Sequence, residues 1–303
     1  MRMTARDWLL LWVLSVLWGG AFFFAAVAVK EVPPLTLVLC RVGIAALILF
    51  VFIKFKGEQI PLGWSFLSIF MMMGFFNNLI PFSLLFWAQT AIPSGLASIL
   101  NATTPIFSIV VAHFLLSDEK MAANKIAGAV LGFAGVAVLF GGDALSGVSI
   151  STLGILACLG AALSYGFASV FGRRYRTLGI TPSIGALGQL SVTTIMMIPI
   201  VMFFDQPWTL TMPGTEAIGA IVSLAVASTA LAYLIYFRVL ETAGAVNAAL
   251  VTLLVPLTAI FLGTVFLDEE LAVRHYFGMA LILVGLIAVD GRLMARIRNK
   301  PAH

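Results

Sequence analysis

Ten apolar stretches, each near the length a helix needs to cross a bilayer, divide this chain from end to end. Crossing the hydrocarbon core takes about 20 residues at roughly 1.5 Å rise each. The stretches lie near 8–29, 34–53, 64–87, 93–116, 122–141, 151–171, 182–204, 215–237, 243–267 and 275–294. Turn and charge signals separate them: Pro33-Pro34, Gly57 with Pro61, Pro93, Asp118-Glu119-Lys120, Gly141-Gly142-Asp143, Arg173-Arg174, Asp205-Gln206-Pro207 and Asp268-Glu269-Glu270. A soluble domain carries roughly a quarter charged residues. Here the share is 10%, with 61% hydrophobic, so too few polar side chains exist to cover a globule in water and lipid must solvate much of the surface. The first stretch ends in Ala26-Val27-Ala28, which resembles a signal-peptidase site. Its apolar run is longer than a signal core and nine more follow, so it reads as a retained helix.

Loop charges set the sidedness, because Lys and Arg stay on the cytoplasmic side. With the N-terminus inside, fourteen of the seventeen basic residues are cytoplasmic and only Lys30 and Arg274 are external; the remaining one, Arg41, falls inside a span. An even number of spans puts both termini in the cytoplasm. The basic residues are spread in short clusters between apolar runs, which is the pattern of membrane loops and not of a nucleic-acid surface. Cys40 and Cys158 both sit in apolar runs and read as small hydrophobes, with no disulfide and no metal site.

The chain also matches itself. Ser94 to Glu119 aligns with Ala245 to Glu270, placing Pro105 on Pro256, Ala97 on Ala248 and Glu119 on Glu270; after a one-residue gap, Gly128 and Gly135 fall on Gly278 and Gly285. Weaker matches put Trp18-Gly19 on Tyr165-Gly166, Pro34 on Pro182 and Trp87 on Tyr236. Residues 1–143 and 144–303 are thus expected to form two five-helix repeats. Five is odd, so the second copy enters the membrane from the opposite side. Inverted repeats of this kind underlie alternating access in many transporters, with the substrate near the midplane between the halves.

The residues that carry this pattern are similar to those of the EamA-type drug/metabolite transporters: Trp18-Gly19, Pro34 followed by Arg41, the polar stretch ending at Pro105 with Leu116-Ser117-Asp118-Glu119, and its echo at Pro256 with Leu267-Asp268-Glu269-Glu270. The resemblance covers nearly the whole chain. It implies an all-α integral membrane fold of ten transmembrane helices in two inverted five-helix repeats. It further implies a central cavity lined mainly by helices 1, 3, 4, 6, 8 and 9, and export of amino acids, aromatic and neutral ones foremost, across a bacterial inner membrane. The implied partners are a small-molecule substrate and the lipid bilayer, with no nucleic acid and no cofactor.

Polar groups inside spans are costly unless partnered, so their spacing marks buried or wet faces. In helix 4, Ser94, Ser98, Asn101, Pro105 and Ser108 share one face; helix 9 repeats it through Asn247, Thr252, Pro256 and Gly263. Pro105 and Pro256 are expected to kink their helices. Small hydroxylated residues often serve only helix packing, which is the plainer reading of the serines, whereas the amide of Asn101 needs several partners and suits a cavity equally well. Helix 3 carries Asn77, Asn78 and Trp87, and helix 8 carries Tyr233 and Tyr236; with Trp18 and Tyr165 these suit a flat or amphipathic solute. An interfacial aromatic belt is the rival reading, better for Trp8, Trp12, Trp64 and Trp208 and serious for Trp87. Gly128, Gly132 and Gly135 suit helix packing within the monomer or a homodimer contact.

Arg41 lies about 10 Å into helix 2. It could bind a carboxylate, donate to carbonyls freed near Pro33-Pro34 or Pro81, or snorkel outward. The matching residue of the second repeat is the neutral Gln189, which favours a structural role.

All thirteen acidic residues fall in loops or within a turn or two of a span end. Proton-coupled multidrug or cation efflux, which uses a buried carboxylate, is therefore the weaker alternative, and transport without obligatory proton coupling is expected. An intramembrane enzyme is less favoured still. The chain has no zinc-protease helix motif, no nucleophile elbow and no phosphate-cradling glycine loop, and its three histidines are scattered, so no catalytic residue is assigned. A channel would need rings of charge or filter carbonyls that the sequence does not supply.

Overall fold

The structure, a computed structural model, describes residues 4–61, 63–117, 123–140, 150–248 and 250–290. All regular secondary structure among these residues is helical. In chain order we label α1 (Ala5–Ala28), α2 (Pro34–Lys56), α3 (Trp64–Ala88), α4 (Ser94–Leu115), α5 (Ala123–Phe140), α6 (Ile150–Phe171), α7 (Pro182–Phe204), α8 (Thr215–Ala243), α9 (Val251–Phe266) and α10 (Val273–Asp290). Seven helices, α1–α4 and α6–α8, are long and apolar enough to cross a membrane; the other three hold shorter apolar runs, Lys125–Leu139, Val251–Phe266 and Val273–Ala288. Large apolar side chains such as Phe55, Phe203, Phe204, Trp64 and Phe261 stand exposed on this surface, as a lipid-facing shell requires. The chain is a multi-pass membrane protein.

Helix ends follow local chemistry. Thr4 and Asp7 form a reciprocal capping box that opens α1. Pro34 and Pro182 occupy first-turn positions where their missing N–H costs nothing, and Gly57 ends α2 in the left-handed region at φ 69°. Carboxylates from distant loops cap other helix starts. Asp205, just past α7, accepts from the backbone and hydroxyl of Thr36 in α2, both at 2.7 Å. Glu58, just past α2, accepts from Thr181 and Ser183 at the start of α7, at 3.2 and 2.9 Å. Glu269 binds the backbone N–H groups of Ser94 and Gly95 and the Ser94 hydroxyl, closing the N-terminus of α4. Asp118 and Glu119, its expected counterparts in the first repeat, lie outside the described residues, as does the basic cluster from Arg292 to Lys300.

Two helices are locally π-helical: α3 over Phe75–Leu79 and α8 over Val226–Leu231. Near Pro105, expected to kink its helix, α4 is interrupted at Ala102-Thr103 and restarts as Thr104–Leu115 with Pro105 in its first turn. Pro256 instead lies inside the continuous Val251–Phe266 helix.

Packing is centred on α1 against α8 and α9, α6 against α3 and α4, α2 against α7 and α8, α7 against α3, and α5 against α10. Glycines mark the closest approaches. A side chain at Gly19 of α1 would fall 2.6 Å from Thr258 Cβ of α9; one at Gly166 of α6 would fall 3.1 Å from the Phe107 backbone of α4. Gly135 meets Gly278 and Ile282, and Gly285 meets Gly128 and Gly132, so the small-residue stripe of α5 is used against α10 within the monomer. Cys40 and Cys158 are free thiols.

Candidate functional site

Polar side chains from neighbouring helices meet at the two π segments. A π turn leaves carbonyls off the i→i−4 ladder, so side chains must serve them. The Ser164 hydroxyl of α6 donates to Phe76 O at 2.7 Å, Thr193 of α7 reaches Gly74 O at 3.0 Å, and Thr229 in the π segment of α8 donates to Leu224 O, just before that segment, at 2.8 Å. Gly74 permits the α3–α7 contact, since a side chain there would meet Gln189 O and the Thr193 hydroxyl at 3.0 Å.

On this frame, α7 bridges the two π-bearing helices. Asn77 donates to Gln189 Oε1 at 3.1 Å, and Gln189 Nε2 donates to the Tyr233 hydroxyl at 3.4 Å. Asn78 turns the other way: it is fully buried against Thr193, 3.3 Å from its hydroxyl, and serves the α3–α7 packing. Arg41 of α2 is 7% exposed. Its ε nitrogen donates to Thr229 at 2.9 Å, and its guanidinium carbon lies 3.8 Å from the centre of the Phe82 ring and 5.5 Å from that of Phe86. The carbonyls near Pro33, Pro34 and Pro81, which the sequence suggested as acceptors, are not its partners. Among the described residues no carboxylate pairs with it. Tyr165 and Tyr233 stand within electrostatic range of the guanidinium.

The aromatic wall is built mainly by α1 and α8. Trp18 and Tyr236 meet with ring centres 5.4 Å apart, and Tyr233 stacks on Phe237 at 5.7 Å. Trp18, Tyr165, Tyr233 and Tyr236 are all half-buried and touch the apolar core. Trp87, the sequence mate of Tyr236, is 38% exposed in the last turn of α3 and makes no ring contact with it. Trp64 and Trp208, at 76% and 66% exposed, fit the interfacial belt, and Trp8 and Trp12 stand exposed near the start of α1.

The polar faces of α4 and α9 are less open than their spacing suggests. Ser98 is buried and donates to Gly95 O of its own helix, and Ser94 is held by Glu269. Asn101 is half-buried beside the α4 break, with its Oδ1 buried and without a hydrogen-bond partner. Asn247 donates to Ala243 O at 2.8 Å, and Thr252 lies half-buried in the first turn of α9. Thr193 and Thr229 were not singled out in the sequence, and Gln189 was noted only as the repeat mate of Arg41. Their signal was the recurrence of polar residues inside α7 at Gln189 and Thr193, and the Ser228-Thr229 pair in α8.

A helical bundle with apolar outer walls and a polar, aromatic interior crossed by two π segments defines the class: a multi-pass membrane protein. Two stretches, 7–141 and 152–289, each match the EamA-like transporter family, and the chain belongs to it. It is 27% identical over 277 residues to "Uncharacterized transporter YoaV" of Bacillus subtilis (strain 168), covering 90% of this chain and 92% of that protein. It is 27% identical over 295 residues to the "Probable amino-acid metabolite efflux pump" of Escherichia coli (strain K12), covering 94% of each. An uncharacterized transporter of Archaeoglobus fulgidus is 26% identical, covering 94% of this chain and 98% of its own. A solved crystal structure, 20% identical, aligns with a TM-score of 0.67 over 97% of this chain and 99% of its own, a likeness of fold.

Proposed function

We propose that this transporter exports small organic metabolites, aromatic and neutral amino acids foremost, by alternating access around the Asn77–Gln189–Tyr233 and Trp18–Tyr236 cluster, between two inverted five-helix repeats formed by residues 1–143 and 144–303. The observation that carries this reading is the cluster itself: uncharged hydrogen-bonding groups beside aromatic faces, drawn from both halves of the chain and set against two π segments. Such a lining suits a flat, partly polar, neutral or zwitterionic solute. The Escherichia coli relative, by its name, moves amino-acid metabolites outward.

Support for the repeats comes from contacts that exchange when the halves are exchanged. Gly19 lies against Thr258 and Gly166 against Phe107, and both pairs are aligned by the internal match. Asp205 caps the start of α2 while Glu58 caps the start of α7. Arg41 reaches the π segment of α8 as Gln189 reaches that of α3. The separate family matches to each half point the same way. The reading is of ten spans in a bacterial inner membrane with both termini cytoplasmic, an orientation supported by the loop charges.

The coupling reading rests on the acidic residues described above: Asp205, Glu58 and Glu269 cap helix starts, and Asp7 is held by Thr4 and Thr242 at the end of a span. Facilitated export needs no proton carrier at mid-membrane. The test is uptake of radiolabelled phenylalanine by proteoliposomes of the purified chain, with unlabelled amino acids as competitors. Saturable uptake blocked by aromatic and neutral amino acids is expected; uptake of cationic drugs alone, or none, would overturn the proposal.

A further inference from the structure

We propose that Arg41 is the carboxylate anchor of this site, so that its substrates are compact monocarboxylates with an apolar or aromatic body, and not organic cations or phosphate esters. The inference rests on the transport reading above and deepens it. A guanidinium this far inside a span is costly to insert. A purely structural arginine recovers that cost by filling its five donors with carbonyls or carboxylates.

Arg41 does not fill them. One donor goes to the Thr229 hydroxyl and one face rests on Phe82. Its two terminal nitrogens bond no described group, yet they are not among the fully buried atoms left without a partner, so they keep accessible surface inside a residue that is only 7% exposed. Thr229 is itself fixed, because its hydroxyl proton is committed to Leu224 O. The ε bond therefore orients the guanidinium and leaves its outer edge, the edge that forms bidentate pairs with carboxylates, without a partner among the described residues.

The neighbours carry no opposing charge. Tyr165 and Tyr233 lie near the guanidinium as neutral phenols, and the Tyr233 hydroxyl accepts from Gln189. Among the described residues no carboxylate competes for the guanidinium. The repeat mate of Arg41 is the neutral Gln189, so the site holds one positive charge, a match for one carboxylate and a poor one for a phosphate dianion. Trp18 and Tyr236 supply a flat surface for the body of the solute.

The test compares two pairs of ligands that differ only in the anchor group, phenylalanine with phenylalaninamide and 3-phenylpropionate with 3-phenylpropionamide. Binding to the purified full-length chain is measured by thermal stabilisation on wild type, Arg41→Gln and Arg41→Lys. Wild type should prefer each acid over its amide by roughly ten- to hundredfold, the range expected for a hydrogen-bonded charge. Arg41→Lys should keep part of that preference, and Arg41→Gln should bring the ratio near one. If Arg41→Gln does not fold, the wild-type ratio and Arg41→Lys decide. Equal binding of acid and amide by wild type, an acid preference that survives Arg41→Gln, or no binding of either acid would overturn the anchor. Acid preference lost in Arg41→Gln, with no amino acid crossing proteoliposomes, would leave the anchor standing and remove the amino-acid reading; amino-acid uptake with equal acid and amide binding would do the reverse.

Discussion

The ε N–H of Arg41 on α2 donates to the Thr229 hydroxyl on α8 across 2.9 Å, and that hydroxyl passes its own proton to Leu224 O, just before the π segment that holds Thr229. The bond ties a buried cation to an irregular stretch of helix. Thr229→Val keeps the shape and removes both hydrogen bonds, so it should destabilise the protein by about 1.5–3 kcal/mol, the value of a hydrogen bond to a charged group. Thr229→Ser should restore most of the loss. Thermal melts in detergent would read this, and an unchanged midpoint for Thr229→Val would mean that the Phe82 ring alone holds the guanidinium.

Gln189 links α3 to α8 through Asn77 and Tyr233. Replacing it with Leu leaves two half-buried polar partners unserved, at about 1–3 kcal/mol each if they find no water. Gln189→Leu should therefore impair transport more than Tyr233→Phe, which removes one hydroxyl and keeps the ring stack on Phe237. Equal transport by the two variants would show that the bridge is not needed.

Trp18 and Tyr236 share a ring contact that Trp87 does not join. Trp18→Ala and Tyr236→Ala should raise the KM for aromatic amino acids several-fold, in line with about 0.5–1.5 kcal/mol for an aromatic pair beyond its buried area. Trp87→Ala should change KM less than either. A larger effect at Trp87 would place it in the solute path at the end of α3.

Glu58 accepts from Lys56, Thr181 and Ser183. The hydrogen bond from the Lys56 ammonium holds its carboxyl below the ordinary carboxylate range. A depressed folded-state pKa contributes stability above the unfolded value of about 4.3 and loses it as pH falls through the folded value. Glu58→Gln should thus be less stable than wild type at neutral pH, with the gap closing on acidification below pH ~4. A gap that is constant with pH would assign the effect to geometry alone. The group is partly exposed, so the difference is expected to be small.

Helix positions were legible because length and hydropathy dictate them: α2 begins at Pro34 and α7 at Pro182, where the sequence placed them. The π segments were not. Phe75–Leu79 and Val226–Leu231 carry no local residue pattern that separates them from α-helix, and they are supported by distant side chains such as Ser164 and Thr193. For the same reason the partner of Arg41 was hidden, since Thr229 is 188 residues away and only the packing of α2 on α8 brings it near. Asn78 and Ser98 show the limit of polarity as a guide: both are polar and inside spans, yet they serve helix packing or their own backbone.

Counterflow of phenylalanine into proteoliposomes made proton-permeable with an uncoupler tests the central claim most directly. Saturable, protein-dependent counterflow that persists with the uncoupler is predicted, because an exporter that runs down the metabolite gradient needs no proton. Strict dependence on an imposed pH gradient would contradict the account and turn attention to His113 near the end of α4; absence of any protein-dependent amino-acid flux would contradict it altogether.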